Sequence, residues 1–304
     1  MTAAPASQTG CSATPAAPRT RLSIRRRGPL LGTLGSLVAV TAAFAAFAAT
    51  VGGGLSAAPA SAHDWIATGW NIHLADQSDA ATARHFFNTS GSFGTGPRAS
   101  VNPVTNGFAA KAVLVYDSYA QFASDIQSGA ISPAYKWVLY DPEEWSQTPV
   151  AEQLNPSKYL TQFGQLAHAH GYKVIEAPAR DLGNVARSGS ACPELAGEDL
   201  DHWYIRCDIA GTAAAASDVV VVQDQVNTTN PAEYASLFNN ARQQALAANP
   251  QVIVDSELST NYGRAGQMAA AAKSVNADGF YISITSPAIG QADQFFKLMR
   301  AAGY

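Results

Sequence analysis

Asp141, Glu143 and Glu144 crowd into four residues of the stretch 136–149, KWVLYDPEEWSQTP, with Trp145 directly behind them. Residues 137–140 have the length and the aromatic and β-branched content of a short buried strand, and Pro142, which cannot donate to a ladder, ends it. The carboxyl groups therefore stand at the carboxyl end of that strand. In sheets whose strands run parallel this is the end where ligands bind. Clustered carboxyls beside a tryptophan suit acid/base chemistry on a neutral polar substrate, of which a sugar is the best fit.

Other strand-like runs end in the same way. Asp117 follows one, Glu176 with Arg180 and Asp181 another, Gln223 with Asp224 and Gln225 a third, and Asp255 with Glu257 a fourth. The opposite ends begin with ordinary solvated residues, Lys111, Lys136 and Lys173. Several carboxyls directed into one mouth repel one another, so their gathering points to a site. Asp141, Glu176 and Glu257 have the least ready structural explanation. Asp117 reads first as the cap of the helix after it, Arg180 and Asp181 as a loop ion pair, and Asp224 as turn chemistry or a substrate contact. Trp145 and Trp203, on loops after strands, could stack on a sugar ring or pack their loops; Gln223 stands beside Asp224 as a further polar contact. His168 and His170 end a helix, where they meet its dipole, and two residues apart they share no helical face for a metal. No metal, phosphate-loop or nucleophile-elbow motif is present, and no cofactor is implied.

The elements that must position these groups alternate. Strands are read at 111–116, 137–140, 172–177, 218–223, 251–254 and 279–284, with a seventh near residues 64–73. Helices are read at 79–87, 119–128, 156–170, 231–249, 263–274 and 291–302, several of them closed by Gly. Strands apolar on both faces, alternating with helices, define βαβ units and a parallel sheet. A domain of roughly 240 residues matches the roughly 250 of a (β/α)₈ TIM-type barrel. The barrel is expected to be irregular or incomplete at its amino-terminal strands, with the missing strand inside the Gly/Ser/Asn-rich stretch 88–106. An open doubly wound sheet is the rival, but no Gly-x-Gly-x-x-Gly follows the first strand.

Residues 1–62 read as a secretory leader and residues 63–304 as one barrel domain. The first segment carries five arginines, no acid, an apolar run over 30–51 and an Ala60-Ser61-Ala62 end, which predicts cleavage after Ala62. A twin-arginine variant is disfavoured by Pro29; an uncleaved anchor is disfavoured by the many Ala and Gly in the run. Export gives an extracellular protein with no membrane contact after cleavage, taken as a monomer. The chain has 19 Lys+Arg and 23 Asp+Glu; with five of the arginines and none of the acids in the leader, the remainder has a net charge of −9. That balance excludes a nucleic-acid partner. Cys11 leaves with the leader, and Cys192 and Cys207 are expected to pair as a disulfide.

The strand-ending carboxyls, above all Asp141-Pro142-Glu143, resemble the Asp-x-Glu endings of the barrel-fold glycoside hydrolases, chitinase-like families included. The resemblance covers the alternating architecture from residue 111 onward and this one short motif. In place of the Asp and Gly residues that lead into the chitinase triplet, this chain has Val138, Leu139 and Tyr140. The resemblance implies a secreted hydrolase of poly- or oligosaccharides. Glu143 would be the acid, raised by Asp141 and nearby aromatics; Glu257 or Glu176 would be the ionised partner, and Asp224 would position substrate. Two other readings stand beside it: a carbohydrate-binding barrel without catalysis, and a metal-assisted hydrolase using Asp141, Glu176, Asp224 and Asp255 as oxygen ligands.

Overall fold

The computed structural model describes residues 63–97, 107–186 and 189–304. The leader expected over 1–62 lies outside the described residues. Eight parallel strands run in the order β1 (Asp64–Thr68), β2 (Phe93–Pro97), β3 (Lys111–Tyr116), β4 (Trp137–Tyr140), β5 (Lys173–Glu176), β6 (Val219–Val222), β7 (Ile253–Ser259) and β8 (Gly279–Ser283). Each pairs with the next, and β8 pairs back to β1, so the sheet closes into a barrel and has no edge. The fold is a (β/α)₈ barrel; the open-sheet alternative is excluded by the β1–β8 pairing, in which Ile66 lies opposite Tyr281.

The missing strand is β2, FGTGP, within the stretch read from sequence as loop. Its two glycines disguise it, but Phe93 and Thr95 alternate inward and pair with β1 and β3. The first helix also starts earlier than its sequence suggests. The Thr68 hydroxyl accepts from the Asn71 N–H at 3.1 Å and caps α1 (Gly69–Phe87), so β1 ends there and Trp70 is helical. A non-helical Asp79 kinks α1 at the point where the expected helix began.

Further helices follow the other strands: α2 (Tyr119–Ser128), α3 (Val150–Gln153), α4 (Pro156–Ala169), α5 (Leu182–Val185), α6 (Leu200–Arg206), α7 (Ile209–Ala214), α8 (Pro231–Ala248), α9 (Ala265–Ser274) and α10 (Ile289–Ala301). α2 stops at Gly129, whose φ of 67° is left-handed and suits Gly. No described helix is long and apolar enough to cross a membrane.

Strand parity divides the core in two. Ile66, Phe93, Val113, Leu139, Ile175, Ala177, Val219 and Val221 fill the barrel interior. The residues between them, such as Trp65, Val138, Tyr140, Val174, Val220 and Phe280, face the helix layer. Both faces are therefore apolar, which explains the unbroken hydrophobic runs. The long connection from β5 to β6 carries α5–α7 and is closed by the Cys192–Cys207 disulfide, with Cα atoms 5.9 Å apart. Trp203 is fully buried beneath it and donates from its indole to the Cys192 carbonyl at 3.0 Å. It packs the connection, and the sugar-stacking role expected for it is withdrawn.

Candidate active site

The chain beyond β4 is fixed by backbone and side-chain bonds that hold its functional groups over the barrel mouth. The Asp141 N–H donates to the Tyr116 carbonyl at 2.9 Å, and the Ala179 N–H to the Pro142 carbonyl at 3.1 Å. Thr148 then acts as a hub. Its hydroxyl accepts from the Glu143 N–H at 3.2 Å and from the Trp145 indole at 2.9 Å, and it donates to the Asp117 carbonyl at 2.9 Å. The Gln153 amide donates to the carbonyls of Trp145 and Thr148, both at 2.7 Å. Trp145 and Glu143 are thus held rigidly although they lie on a loop. Neither Thr148 nor Gln153 carried a sequence signal beyond being small or polar near a turn.

Three other strands complete the site. From β6, the Gln223 amide donates to Asp141 Oδ1 and to the Ala177 carbonyl, each at 2.7 Å, and it also bears on Glu143. Glu257 lies within β7 at an inward position, close enough to Asp141 and Glu143 to be repelled by both. Its in-register neighbour Tyr281 on β8 faces the same three carboxyls. Tyr281 went unnoticed in the sequence; its signal was a phenol among the inward positions of an otherwise apolar strand. A cleft of about 780 Å³ opens beside this cluster, lined by Thr68, Thr95, Asp117, Asp141, Trp145 and Tyr281 among others; of the three carboxyls Asp141 lines it, and Glu143 and Glu257 do not. Asp117 therefore belongs to the cleft, and the cap of α2 is Ser118, whose hydroxyl accepts from the Gln121 N–H at 3.3 Å.

The electrostatics follow from burial and from the shortage of cations. Arg180, in the β5 loop, is turned away to Asp201, which also accepts from the Asn227 amide at 2.9 Å. Burial, then the charges of Asp181 and Asp117, push Glu143 up to about 7, against the opposing effect of the Gln223 amide. Burial and then Glu143 and Asp117 raise Asp141 well above the usual carboxylate range, again opposed by Gln223. Glu257 is raised by burial first and then by Asp141, Glu143 and Asp224. The three cannot all ionise together, so they titrate as one cluster.

Glu176 and Asp224 are not in this cluster, and their expected roles at the substrate are corrected. Both occupy the outward parity of their strands. Glu176 is fully buried, with no hydrogen bond to either carboxyl oxygen, and burial holds it far above its ordinary pKa. Asp224 is buried behind the barrel wall, where it accepts from the Ser256 hydroxyl at 2.9 Å and the Glu257 N–H at 3.2 Å. With the Tyr234 hydroxyl donating to the Glu257 carbonyl at 3.0 Å, both backbone groups of Glu257 are clamped from outside. Asp255 lies low in the barrel, level with Gly279 and repelled by Asp64, because β7 runs on to Ser259 instead of ending at Val254. The four carboxyls of the metal-assisted reading thus occupy separate surroundings, and no group of three potential metal ligands is found among the described residues.

No family model and no curated protein matches this chain. Among solved structures it is similar to hydroxymethylglutaryl-CoA lyase from Pseudomonas aeruginosa, at 11% identity over 75% of this chain and 77% of that one, with a TM-score of 0.44. It is also similar to an active-site mutant of Rhizomucor miehei β-1,3-glucanosyltransferase in complex with laminaritriose, at 12% identity over 77% and 91% of the two chains and a TM-score of 0.42. A GH113 β-1,4-mannanase matches at 14% identity over 62% of this chain and 82% of its own, with a TM-score of 0.32. The fold assignment rests on the closed barrel itself.

Proposed function

We propose that this protein is a glycoside-hydrolase-like enzyme that cleaves a neutral poly- or oligosaccharide by carboxyl acid/base chemistry. The observation that carries the reading is the convergence of Glu143 from the β4 loop and Glu257 from β7 on one mouth, with Glu143 held protonated up to about pH 7. β4 and β7 are separated by two strands on one side of the ring and four on the other, so their carboxyls approach each other across the opening. Glu143 donates its proton to the leaving glycosidic oxygen as the C–O bond breaks. Glu257 attacks the anomeric carbon or takes a proton from the attacking water, for which it must first give up the proton that burial and its neighbours Asp141 and Glu143 favour. Asp141, gripped by Gln223, is itself raised by burial and by the Glu143 charge, so it tends to hold the proton that the cluster shares, while burial, Asp181 and Asp117 raise Glu143. A mouth rich in carboxyls, with Arg180 diverted to Asp201, disfavours an anionic polymer. The same reading has the chain exported as a monomer, its leader removed after Ala62; the Cys192–Cys207 pair suits an oxidising compartment.

The test is hydrolysis of neutral plant, fungal and bacterial polysaccharides by the protein and by Glu143→Gln. Release of reducing ends by the protein, and its loss in a folded Glu143→Gln, is the expected result. Equal activity in the two overturns the assignment of the acid. No hydrolysis by either, with retention on one polymer, replaces the enzyme with a carbohydrate-binding barrel.

A further inference from the structure

The loop after β5 is bonded to the loop after β4 on both sides of Glu143. The Ala179 N–H donates to the Pro142 carbonyl at 3.1 Å, and the Glu144 N–H donates to Asp181 Oδ1 at 3.0 Å. A further bond, from the Asn184 amide to Glu144 Oε2 at 2.7 Å, closes the seam. The residues left between these ties are Glu143 on one segment and Arg180 on the other. A carboxyl and a guanidinium brought together in this way have the makings of a charge-assisted pair. Arg180 nevertheless makes its ion pair with Asp201 on α6.

Asp201 is well placed to keep it. Its other carboxyl oxygen accepts from the Asn227 amide at 2.9 Å, on the connection after β6. The helix that carries it is pinned at both ends. The Asp199 carboxyl caps α6, accepting from the His202 N–H at 2.8 Å, and Cys207 ends it through the disulfide to Cys192. Arg206, in the last turn, donates to Glu198 at 2.6 Å and to the Pro193 carbonyl at 2.8 Å. The Arg180 and Asp201 side chains keep only 22% and 29% of their surface exposed, so the pair is screened less than one in open solvent.

The groups that bear on Glu143 and its partners show what the pairing with Asp201 prevents. They are Asp141 at the end of β4, Asp117 after β3, Asp181 after β5, Glu257 on β7 and Tyr281 on β8, with the Gln223 amide from β6. Every charge these groups can carry is negative. A guanidinium admitted among them favours the ionised form of each carboxyl it approaches.

We propose that Asp201 is a positioning residue that withholds Arg180 from Glu143, and that the disulfide-closed connection between β5 and β6 is the frame that holds it in place. With the guanidinium withheld, Glu143 keeps its proton; with it admitted, Glu143 becomes half of an ion pair and has no proton to donate. This inference rests on the proposed function for the use of that proton, but its readout requires no turnover.

The experiment follows the glutamate carboxyl carbons by NMR through a pH titration, with the Glu143 signal identified by its absence from Glu143→Gln. The unaltered protein is compared with Asp201→Asn, Arg180→Gln and the double variant, and thermal unfolding checks that each is folded. Asp201→Asn is expected to lower the midpoint of the Glu143 titration by about one pH unit or more. Arg180→Gln leaves the midpoint in place, and Asp201→Asn combined with Arg180→Gln restores it. Asn227→Ala removes one tie to Asp201 but not its charge; it moves the midpoint in the same direction by less and carries the test if Asp201→Asn does not fold. A purely structural Asp201 would lower the unfolding temperature without moving the midpoint. The inference is overturned if the midpoint stays fixed in folded Asp201→Asn, if it stays fixed in Asn227→Ala where that variant carries the test, or if the double variant keeps the lowered value. If the midpoint moves as expected while no form of the protein cleaves a polysaccharide, the inference stands and the hydrolase reading fails.

Discussion

Two sets of buried carboxyls, built a few residues apart, are treated in opposite ways. Glu152, behind β3 and β4, accepts four hydrogen bonds: from the Ser118 hydroxyl at 3.0 Å, the Tyr119 and Ala120 N–H groups at 2.7 and 3.0 Å, and the Tyr140 hydroxyl at 2.8 Å. It ties the start of α2 to the back of the barrel wall. At the mouth, Asp141, Glu143 and Glu257 have the single amide of Gln223 among them as a side-chain donor from the described residues. A carboxyl surrounded by donors stabilises the fold, whereas carboxyls deprived of donors keep their protons and are available for proton transfer. Donor supply separates Glu152 from the mouth carboxyls, whose pKa values burial raises first and neighbouring charges raise further.

Exchanging each glutamate for glutamine breaks the comparison most sharply. Glu143→Gln is expected to lower kcat on a cleaved polysaccharide by about 10³-fold, the upper part of what general acid catalysis supplies, with unfolding unchanged or slightly harder. Glu152→Gln should do the reverse. It places an amide N–H₂ against existing donors and is expected to cost about 2–4 kcal/mol of stability in denaturant unfolding, with kcat altered little. Loss of activity without loss of stability in Glu152→Gln would erase the distinction.

Glu176 extends the comparison to a carboxyl with no hydrogen-bond donor among the described residues. Glu176→Met, which fills the same space without a polar group, is expected to stabilise the fold by about 1–2 kcal/mol near neutral pH. The sign of the pH effect follows from its raised pKa. The folded state keeps the proton that the unfolded state releases above the ordinary Glu range, so the contribution to stability is complete below that range and is lost as pH rises towards the folded-state pKa. Glu176→Gln should flatten the part of this decline that belongs to Glu176, as measured by thermal unfolding across the pH range.

The smallest effect is on the pH profile. Hydrolysis needs one carboxyl of the cluster protonated and another ionised, so the pH profile should be a bell whose limbs belong to the coupled group, with Glu143 at about 7. Gln223 lowers both Asp141 and Glu143. Gln223→Leu should therefore move both limbs of the kcat/KM profile to higher pH, and limbs that stay fixed would remove Gln223 from the site.

Much of this was legible in the residues themselves. The repeating strand and helix runs, the closing prolines and glycines, the Cys192–Cys207 pair and the polarity of one end of the strands are local properties of sequence, set by backbone chemistry and apolar periodicity. β2 was hidden because FGTGP has the composition of a turn and becomes a strand only by pairing with β1 and β3 on either side. Asp255 was placed too near the mouth because QVIV ends in sequence where β7 continues in space.

What only the tertiary structure decided is which way each polar residue faces. Ala177 and Gln223 face the barrel interior while their neighbours Glu176 and Asp224 face the helices. In an amphipathic sheet the alternation of apolar and polar residues would have announced this. A barrel strand is apolar on both faces, so the sequence carries no contrast from which to read its parity, and a shift of one residue exchanges the mouth for the wall. The sequence by itself determined that carboxyls gather at the ends of parallel strands; closure of the barrel selected Asp141, Glu143 and Glu257 to meet, because only register and parity fix where alternating side chains point.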